Sequence, residues 1–346
     1  MKWKVEEVSQ LRGFTVEWAE VGNYYLSKRN RVFHSVDLKQ PFKQIAVISA
    51  PAWKQIAASS RLAQRLLRFM VTNVIPIANG DVFVTFDKSV GVIRDGIYAE
   101  LKGLVRPCRV LRSACAVDGM GDIYFGEYLA NDERGEMRVY KYSQGSDEIM
   151  IAYTFPPNSI KHVHGRYYDK FTQSIFCLTG DNVSECQILR SSDGFDTVEV
   201  VGSGDESWRA VSILFDETHF YYGTDAEFRP NNIYKVNRET LERVDLGEVS
   251  GTVFYSKKVG DDLFFTTTAE NAPSQKENVA ALWNVSPDGI LSEVDKFKKD
   301  RWHPTLFQFG TIHFSTENKL ETELYFSVVG VVEDNQTYKC STERYG

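Results

Sequence analysis

Short aromatic runs, set off by turn residues, recur along almost the whole chain. Asn23-Tyr24-Tyr25-Leu26, Asp81-Val82-Phe83-Val84, Asp122-Ile123-Tyr124-Phe125, Ser174-Ile175-Phe176-Cys177, His219-Phe220-Tyr221-Tyr222 and Asp262-Leu263-Phe264-Phe265 each read as a buried strand. A further one falls at Thr311-Ile312-His313-Phe314 or at Leu324-Tyr325-Phe326. Brief apolar runs rich in aromatic and β-branched side chains fit strands covered on both faces. After each comes a run that alternates polar and apolar, such as Arg31-Val32-Phe33-His34-Ser35 or Asn232-Ile233-Tyr234-Lys235-Val236. A weaker third strand follows, as in Ile149-Met150-Ile151-Ala152-Tyr153 or Thr197-Val198-Glu199-Val200-Val201.

The unit returns every ~40–50 residues, the period of a four-stranded propeller blade. One such sheet leaves two edges and two half-covered faces, and radial stacking covers the faces of every blade. The pattern predicts an all-β chain folded as a β-propeller of seven four-stranded blades, with six as the alternative, occupying residues 1–346 as one domain. Residues 1–8 read as a stray strand that completes the last blade, near 301–341, and closes the ring. One segment breaks the period. Residues 52–70 read as an amphipathic helix, with Lys54, Arg61, Arg65 and Arg68 on one face and Trp53, Ile56, Ala57, Ala63, Leu67 and Met70 on another. It reads as a connector docked on the rim, and alternatively as a basic surface helix touching a membrane or a lipid-linked glycan.

Composition narrows the class. The formal net charge of −7 makes a nucleic-acid backbone a poor partner. No apolar run reaches the ~18 residues of a membrane span, and the start, Met1-Lys2-Trp3-Lys4-Val5, lacks the apolar core of a signal peptide. The 5 cysteines are odd in number and contain no CxxC, which predicts reduced thiols and a cytoplasmic location. Nothing in the sequence sets an oligomeric state.

Arg190-Ser191-Ser192-Asp193-Gly194-Phe195-Asp196-Thr197-Val198 resembles the Asp-box, or BNR repeat, of sialidase-like propellers, a turn between the outer strands of a blade. Its glycine directly follows Asp193 and the closing tryptophan is replaced. The Asp side chain of such a turn accepts backbone N–H groups, a folding role. Residues 120–255 also resemble an uncharacterised glycosyl-hydrolase-like branch of that family, through Gly126-Glu127-Tyr128, His162-Val163-His164-Gly165, Thr179-Gly180-Asp181-Asn182, Trp208-Arg209-Ala210-Val211 and Gly223-Thr224-Asp225. The resemblance implies a propeller that handles carbohydrate. The Phe-Arg-Ile-Pro element of true sialidases is absent, and of their arginine triad only Arg209 stands where a pocket arginine would.

A propeller presents ligands near its axis, on the face made by the loops after each second strand and the segments leading into each innermost strand. Asp87, Glu127, Asp181, Asp225 and Glu270 follow second strands in successive repeats, with Glu317 less certainly placed, and predict an acidic ring at one mouth. Carboxylates held together raise one another's pKa unless a cation intervenes. His162 and His164 lead into one innermost strand, and their spacing puts both on one side of an extended chain. They are the candidate ligands of a divalent metal with Asp181, or else a general base and a substrate-orienting group, or simply a hydrogen-bonded pair. Trp208 and Arg209 stand at the next such position, Arg209 suited to an anionic substituent or else a structural counter-ion to the acidic ring, and Trp208 suited to a sugar face or else closing the blade interface. Trp302-His303 occupies the corresponding place in the last blade, and Tyr255 on an innermost strand is a weaker phenol candidate.

Two classes of function remain. The first is a glycoside-hydrolase-like enzyme acting on an acidic or amino-sugar glycan, with His162, His164, Asp181, Asp225 and Glu127 as catalytic candidates and Arg209, Trp208, Glu270, His303 and Tyr255 as substrate contacts. Its alternative chemistry is a polysaccharide lyase, in which a histidine or tyrosine takes a proton beside a uronate and an arginine or metal neutralises the acid. The second class is a glycan- or protein-binding scaffold without turnover.

Overall fold

A computed structural model describes residues 3–342, which form seven blades around one axis. Six blades are built from four consecutive antiparallel strands, innermost first. Blade 4 is typical, with Val163–Asp169, Ser174–Thr179, Gln187–Ser191 and Glu199–Ser203 running from the axis outward. Blade 7 takes Thr311–Phe314, Glu323–Val329 and Thr337–Thr342 from the end of the chain and its outer strand, Trp3–Glu7, from the beginning. Val5 pairs with Cys340 in that closure. Trp3 secures it by packing edge-on to Phe264 of blade 6 at 4.8 Å and donating its indole N–H to Asp262. The expected seven blades and ring closure are both present. Glu317 departs from the expected ring. Glu317–Asn318 pairs in parallel with Thr15–Glu20 of blade 1, and Glu317 lines the opposite mouth.

The second strands lie at the centre of the apolar layers, which explains their unbroken aromatic runs. Phe83 of blade 2 meets Phe125 of blade 3 at 5.8 Å, and Phe176, Phe220, Phe264 and Phe326 are all essentially inaccessible. Each buried phenylalanine contributes ~1.5–3 kcal/mol of hydrophobic stabilisation. The Asp-box-like segment forms the turn between the third and fourth strands of blade 4. Asp193 accepts the Thr197 N–H and hydroxyl, and Phe195, at φ 79°, buries its ring against Tyr124 of blade 3.

The 52–70 insertion is two short helices rather than one, α1 (Ala52–Ala57) and α2 (Arg61–Leu67), separated at Ser59-Ser60. The basic face is the docked face. Arg61 pairs with Asp334 at 2.8 Å, Arg65 with Asp300 at 2.5 Å and Lys54 with Asp87 at 2.7 Å, whereas Trp53 and Ile56 are 60% and 73% exposed. Ion pairs, together with Ala58, Leu67 and Phe69 packed on the core of blades 1 and 2, hold the insertion on the rim. No helix among the described residues is long and apolar enough to cross a membrane.

Candidate functional site

The innermost strands share a local irregularity that shapes the mouth. Pairing with the second strand slips near the start of the first strand in blades 1, 2, 4, 5 and 6. A β-bulge inserts an unpaired residue and redirects its side chain. The slipped positions include Thr72, His164, Val211 and Phe254, all of which line a cavity of about 520 Å³ at one end of the axis. The bulge alters the expected geometry of the histidine pair. His164 faces the cavity, while His162 sits behind it with its ring 4.2 Å from that of Tyr128.

Four of the five predicted ring carboxylates reach this mouth: Asp87, Asp181, Asp225 and Glu270. Glu127 does not. It is fully buried, receives the Tyr140 hydroxyl and the Arg138 N–H, and pairs with Arg106 at 2.7 Å. Its longer side chain reaches into the blade and serves as an internal anchor. Of the predicted substrate contacts, Arg209, Glu270 and Tyr255 line the cavity. Trp208 lies under Arg243, 4.3 Å from its guanidinium, and stacks on Tyr222 within blade 5. His303 precedes the short helix α3 (Pro304–Phe307) and is exposed, because this helix separates Trp302-His303 from the innermost strand. Four residues that sequence reasoning did not assign also line the cavity: Arg68, Arg109, Tyr128 and His313.

Asp181 is the hub of the acidic wall. It adopts φ 99°, an uncommon conformation for a residue with a side chain and one that recurs where structure is held under functional constraint. Preceding it, Gly180 is required by space, since a Cβ there would stand 2.8 Å from both Arg209 and His164. The carboxylate lies 3.4 Å from His162 Nε2, 3.5 Å from His164 Nε2 and 3.3 Å from Arg209. Burial alone would raise its pKa, but the two histidines outweigh burial and hold it far below the usual range. His164 donates through Nδ1 to the Ala210 carbonyl at 3.0 Å, since a carbonyl can only accept. Its Nε2 stands 3.5 Å from Asp181, whose carboxylate favours a second proton on the ring, while burial, the larger effect, disfavours it. His162 Nδ1 is buried and unpartnered. The three side chains offer ligand atoms within 4.8 Å of one another, a two-histidine, one-carboxylate set that fits a divalent cation.

Arg209 links this hub to Asp225, with Nε 3.1 Å from Asp225 Oδ2. Asp225 differs sharply from Asp181. Burial pushes its pKa up to about 8, against the opposing charge of Arg209 and with help from Glu270 and Asp181. Glu270 is also raised by burial, although the Thr252 and Thr268 hydroxyls partly restrain it. Tyr255 and Tyr128 are phenols whose pKa burial raises further, so neither is a ready base. His313, beside Tyr255 at 5.5 Å, is held neutral by burial. The wall therefore carries an ionised carboxylate and a protonated one, bridged by a guanidinium and flanked by imidazoles.

No family model matches the chain, and no curated protein matches it. Solved structures do. An oligogalacturonate lyase in complex with manganese aligns with a TM-score of 0.63 at 9% identity, covering 100% of this chain and 97% of that one. An extracellular domain assigned to a hybrid two component system of B. thetaiotaomicron aligns at 0.60 with 11% identity, covering 99% of this chain and 40% of that one. The present chain thus spans about two fifths of that protein's length. A chain of the Mitotic Checkpoint Complex aligns at 0.57 with 10% identity, covering 98% of this chain and 93% of that one. At such identities the likeness establishes the seven-bladed propeller and nothing narrower.

Proposed function

We propose that this propeller is a carbohydrate-active enzyme that cleaves an acidic glycan at the axial cavity, by hydrolase-type acid and base chemistry. One observation carries the reading: Asp181 and Asp225 are neighbours on one guanidinium, and their environments push their pKa values in opposite directions. Such splitting assigns an acid and a base to a pair of carboxyls. Asp225, protonated near neutrality, donates to the leaving glycosidic oxygen. Asp181, ionised, stabilises the developing positive charge or activates water. Arg209 fixes both carboxyls and keeps Asp181 aligned.

A second reading, lyase chemistry, is favoured by the histidine pair with Asp181 and by the manganese-bound oligogalacturonate lyase among the structural neighbours. In it His313, neutral and facing the cavity, takes the proton beside a uronate carboxylate, and Asp225 protonates the leaving oxygen. His162, His164 and Asp181 would hold a divalent ion, which supplies positive charge for the substrate's acid group. The sialidase-like, Asp-box resemblance belongs to the same carbohydrate reading. Its support is the turn at Asp193, a device of folding rather than of chemistry. The reading also assigns the protein to a reducing, cytoplasmic compartment, supported by five unpaired thiols.

The test is incubation with uronate-, sialate- and amino-sugar-containing oligosaccharides, following new reducing ends and ultraviolet absorption together. Reducing ends without absorption mean hydrolysis. Both signals together mean elimination, because a lyase leaves a conjugated double bond. If no member of the panel is cleaved, and Asp225→Asn behaves like the unmodified protein, the enzyme reading fails and a binding scaffold replaces it.

A further inference from the structure

The wall facing the Asp181–Asp225 pair is basic, and its charges are not balanced within the protein. Arg68 and Arg109 both line the cavity. Each lies in the segment leading into an innermost strand, Arg68 before Val71–Pro76 of blade 2 and Arg109 before Ala116–Val117 of blade 3. Arg109 stands 3.6 Å from Asp87, beyond hydrogen-bond reach, and its Nε is buried without a partner. Asp87 is already taken by Lys54 at 2.7 Å. The Arg68 guanidinium has no hydrogen-bond or ion-pair partner among the described residues. Desolvation, and then the charge of nearby Arg109, lower its pKa. Lys54 and Arg109 thus share one carboxylate, and Arg68 has none. Arg209, the residue expected to meet an anionic substituent, is by contrast occupied by Asp181 and Asp225.

The helical insertion explains how Arg68 comes to be there. Arg61 and Arg65 tie α2 to Asp334 of blade 7 and to Asp300 in the link from blade 6, and α2 ends at Arg68 in the left-handed conformation, φ 51°. That cap turns the chain sharply from the rim into blade 2 and sets the Arg68 side chain at the cavity. A positive φ is uncommon for a residue with a side chain, and here it is held by ion pairs on the preceding turn. An anchored, unpartnered guanidinium lining the same cavity as a second one is suited to receive an oxyanion.

We propose that Arg68 and Arg109 form the subsite for the carboxylate of a uronate residue, and that this subsite selects acidic glycans for the cavity. The inference rests on the reading that the cavity takes a sugar, but it holds for hydrolysis, elimination or binding alone. The carboxylate is favoured over a more highly charged group because Asp87 already offsets part of the cationic charge, and a planar acid matches the guanidinium fork.

The test is calorimetric binding of galacturonate, glucuronate and mannuronate trisaccharides to the full-length protein at low and high salt. The comparison ligands are the methyl esters of the same sugars and a neutral trisaccharide carrying a sulfate ester. Asp225→Asn is measured in parallel to prevent turnover. At least one uronate is expected to bind about tenfold or more tightly than its ester, the difference shrinking with salt. Arg68→Gln and Arg109→Gln should each remove most of that difference while leaving ester binding unchanged, and Arg68→Lys should restore part of it. Equal affinity for acid and ester, tighter binding of the sulfated sugar, unaltered discrimination in both glutamine variants, or no binding of any uronate would each overturn the assignment. Acid-selective binding by a protein that cleaves nothing would leave the subsite standing and remove the enzymatic reading instead.

Discussion

The two walls of the axial cavity handle charge in opposite ways. On the side of blades 4 and 5, charged groups meet one another. Arg209 touches Asp181 and Asp225, and Asp181 touches His162, His164 and Lys161. On the side of the insertion and blades 2 and 3, Arg68 has no ion-pair partner among the described residues and Arg109 is only loosely engaged. A networked wall can set protonation states, because each group's pKa depends on its neighbours. An unbalanced wall can attract an anion, because its charge is left over after folding. The division places proton handling on one side of the cavity and recognition on the other.

The largest expected effect that would sharpen this contrast is on turnover. Asp225→Asn removes the protonated carboxyl and should lower turnover by about 10²–10⁴-fold with binding intact, as measured by steady-state rates alongside calorimetry. If the Asp225→Asn variant turned over normally, the acid would have to be sought elsewhere. The same group sets a pH dependence. Because its pKa is raised to about 8, the acid is present below that pH and is lost as pH rises through it, so the rate should fall on the alkaline side. Asp181 stays ionised throughout the neutral range and adds no such limb.

Arg209→Ala tests the networked wall through stability. Removing one member of a buried charge network leaves carboxylates uncompensated and should cost about 3–5 kcal/mol in denaturant unfolding. Arg68→Gln, on the unbalanced wall, should cost nothing measurable, and a large loss there would show that the two walls are not different in kind. Glu127→Gln should destabilise by a smaller amount, about 1–3 kcal/mol, through its lost partners inside blade 3, and should leave the pH profile unmoved. Metal analysis of protein purified without chelator is expected to find one divalent ion per chain, reduced in His164→Ala. A metal-free protein of full activity would leave the histidines as proton carriers only.

Comparison of Glu127 with Asp225 shows where sequence reading reached its limit. Both follow the second strand of a blade, and by pattern they are equivalent. Glu127 accepts from Tyr140 and pairs with Arg106, a residue 21 positions earlier, so it is consumed by its own blade. Asp225 finds one guanidinium and little water, and becomes an acid. The lead-in rule that singled out His162 and Arg209 applies equally to Arg68 and Arg109, and it would have found them had it been carried to blades 2 and 3. His313 carried no such mark, because it sits inside a strand whose other residues are core.

The sequence alone determined the architecture: aromatic second strands repeating every ~40–50 residues need cover on both faces, and only radial stacking of like sheets provides it for all of them at once. It also determined which positions would ring the mouth, since strand ends are set by the same periodicity. Tertiary structure decided which of those residues are free to act. Protonation, pairing and orientation depend on groups from other blades, on a bulge that turns His164 inward, and on an insertion that docks through basic side chains as well as apolar ones. Such effects come from electrostatics and contacts over a few ångströms between residues far apart in the chain, and no local pattern encodes them.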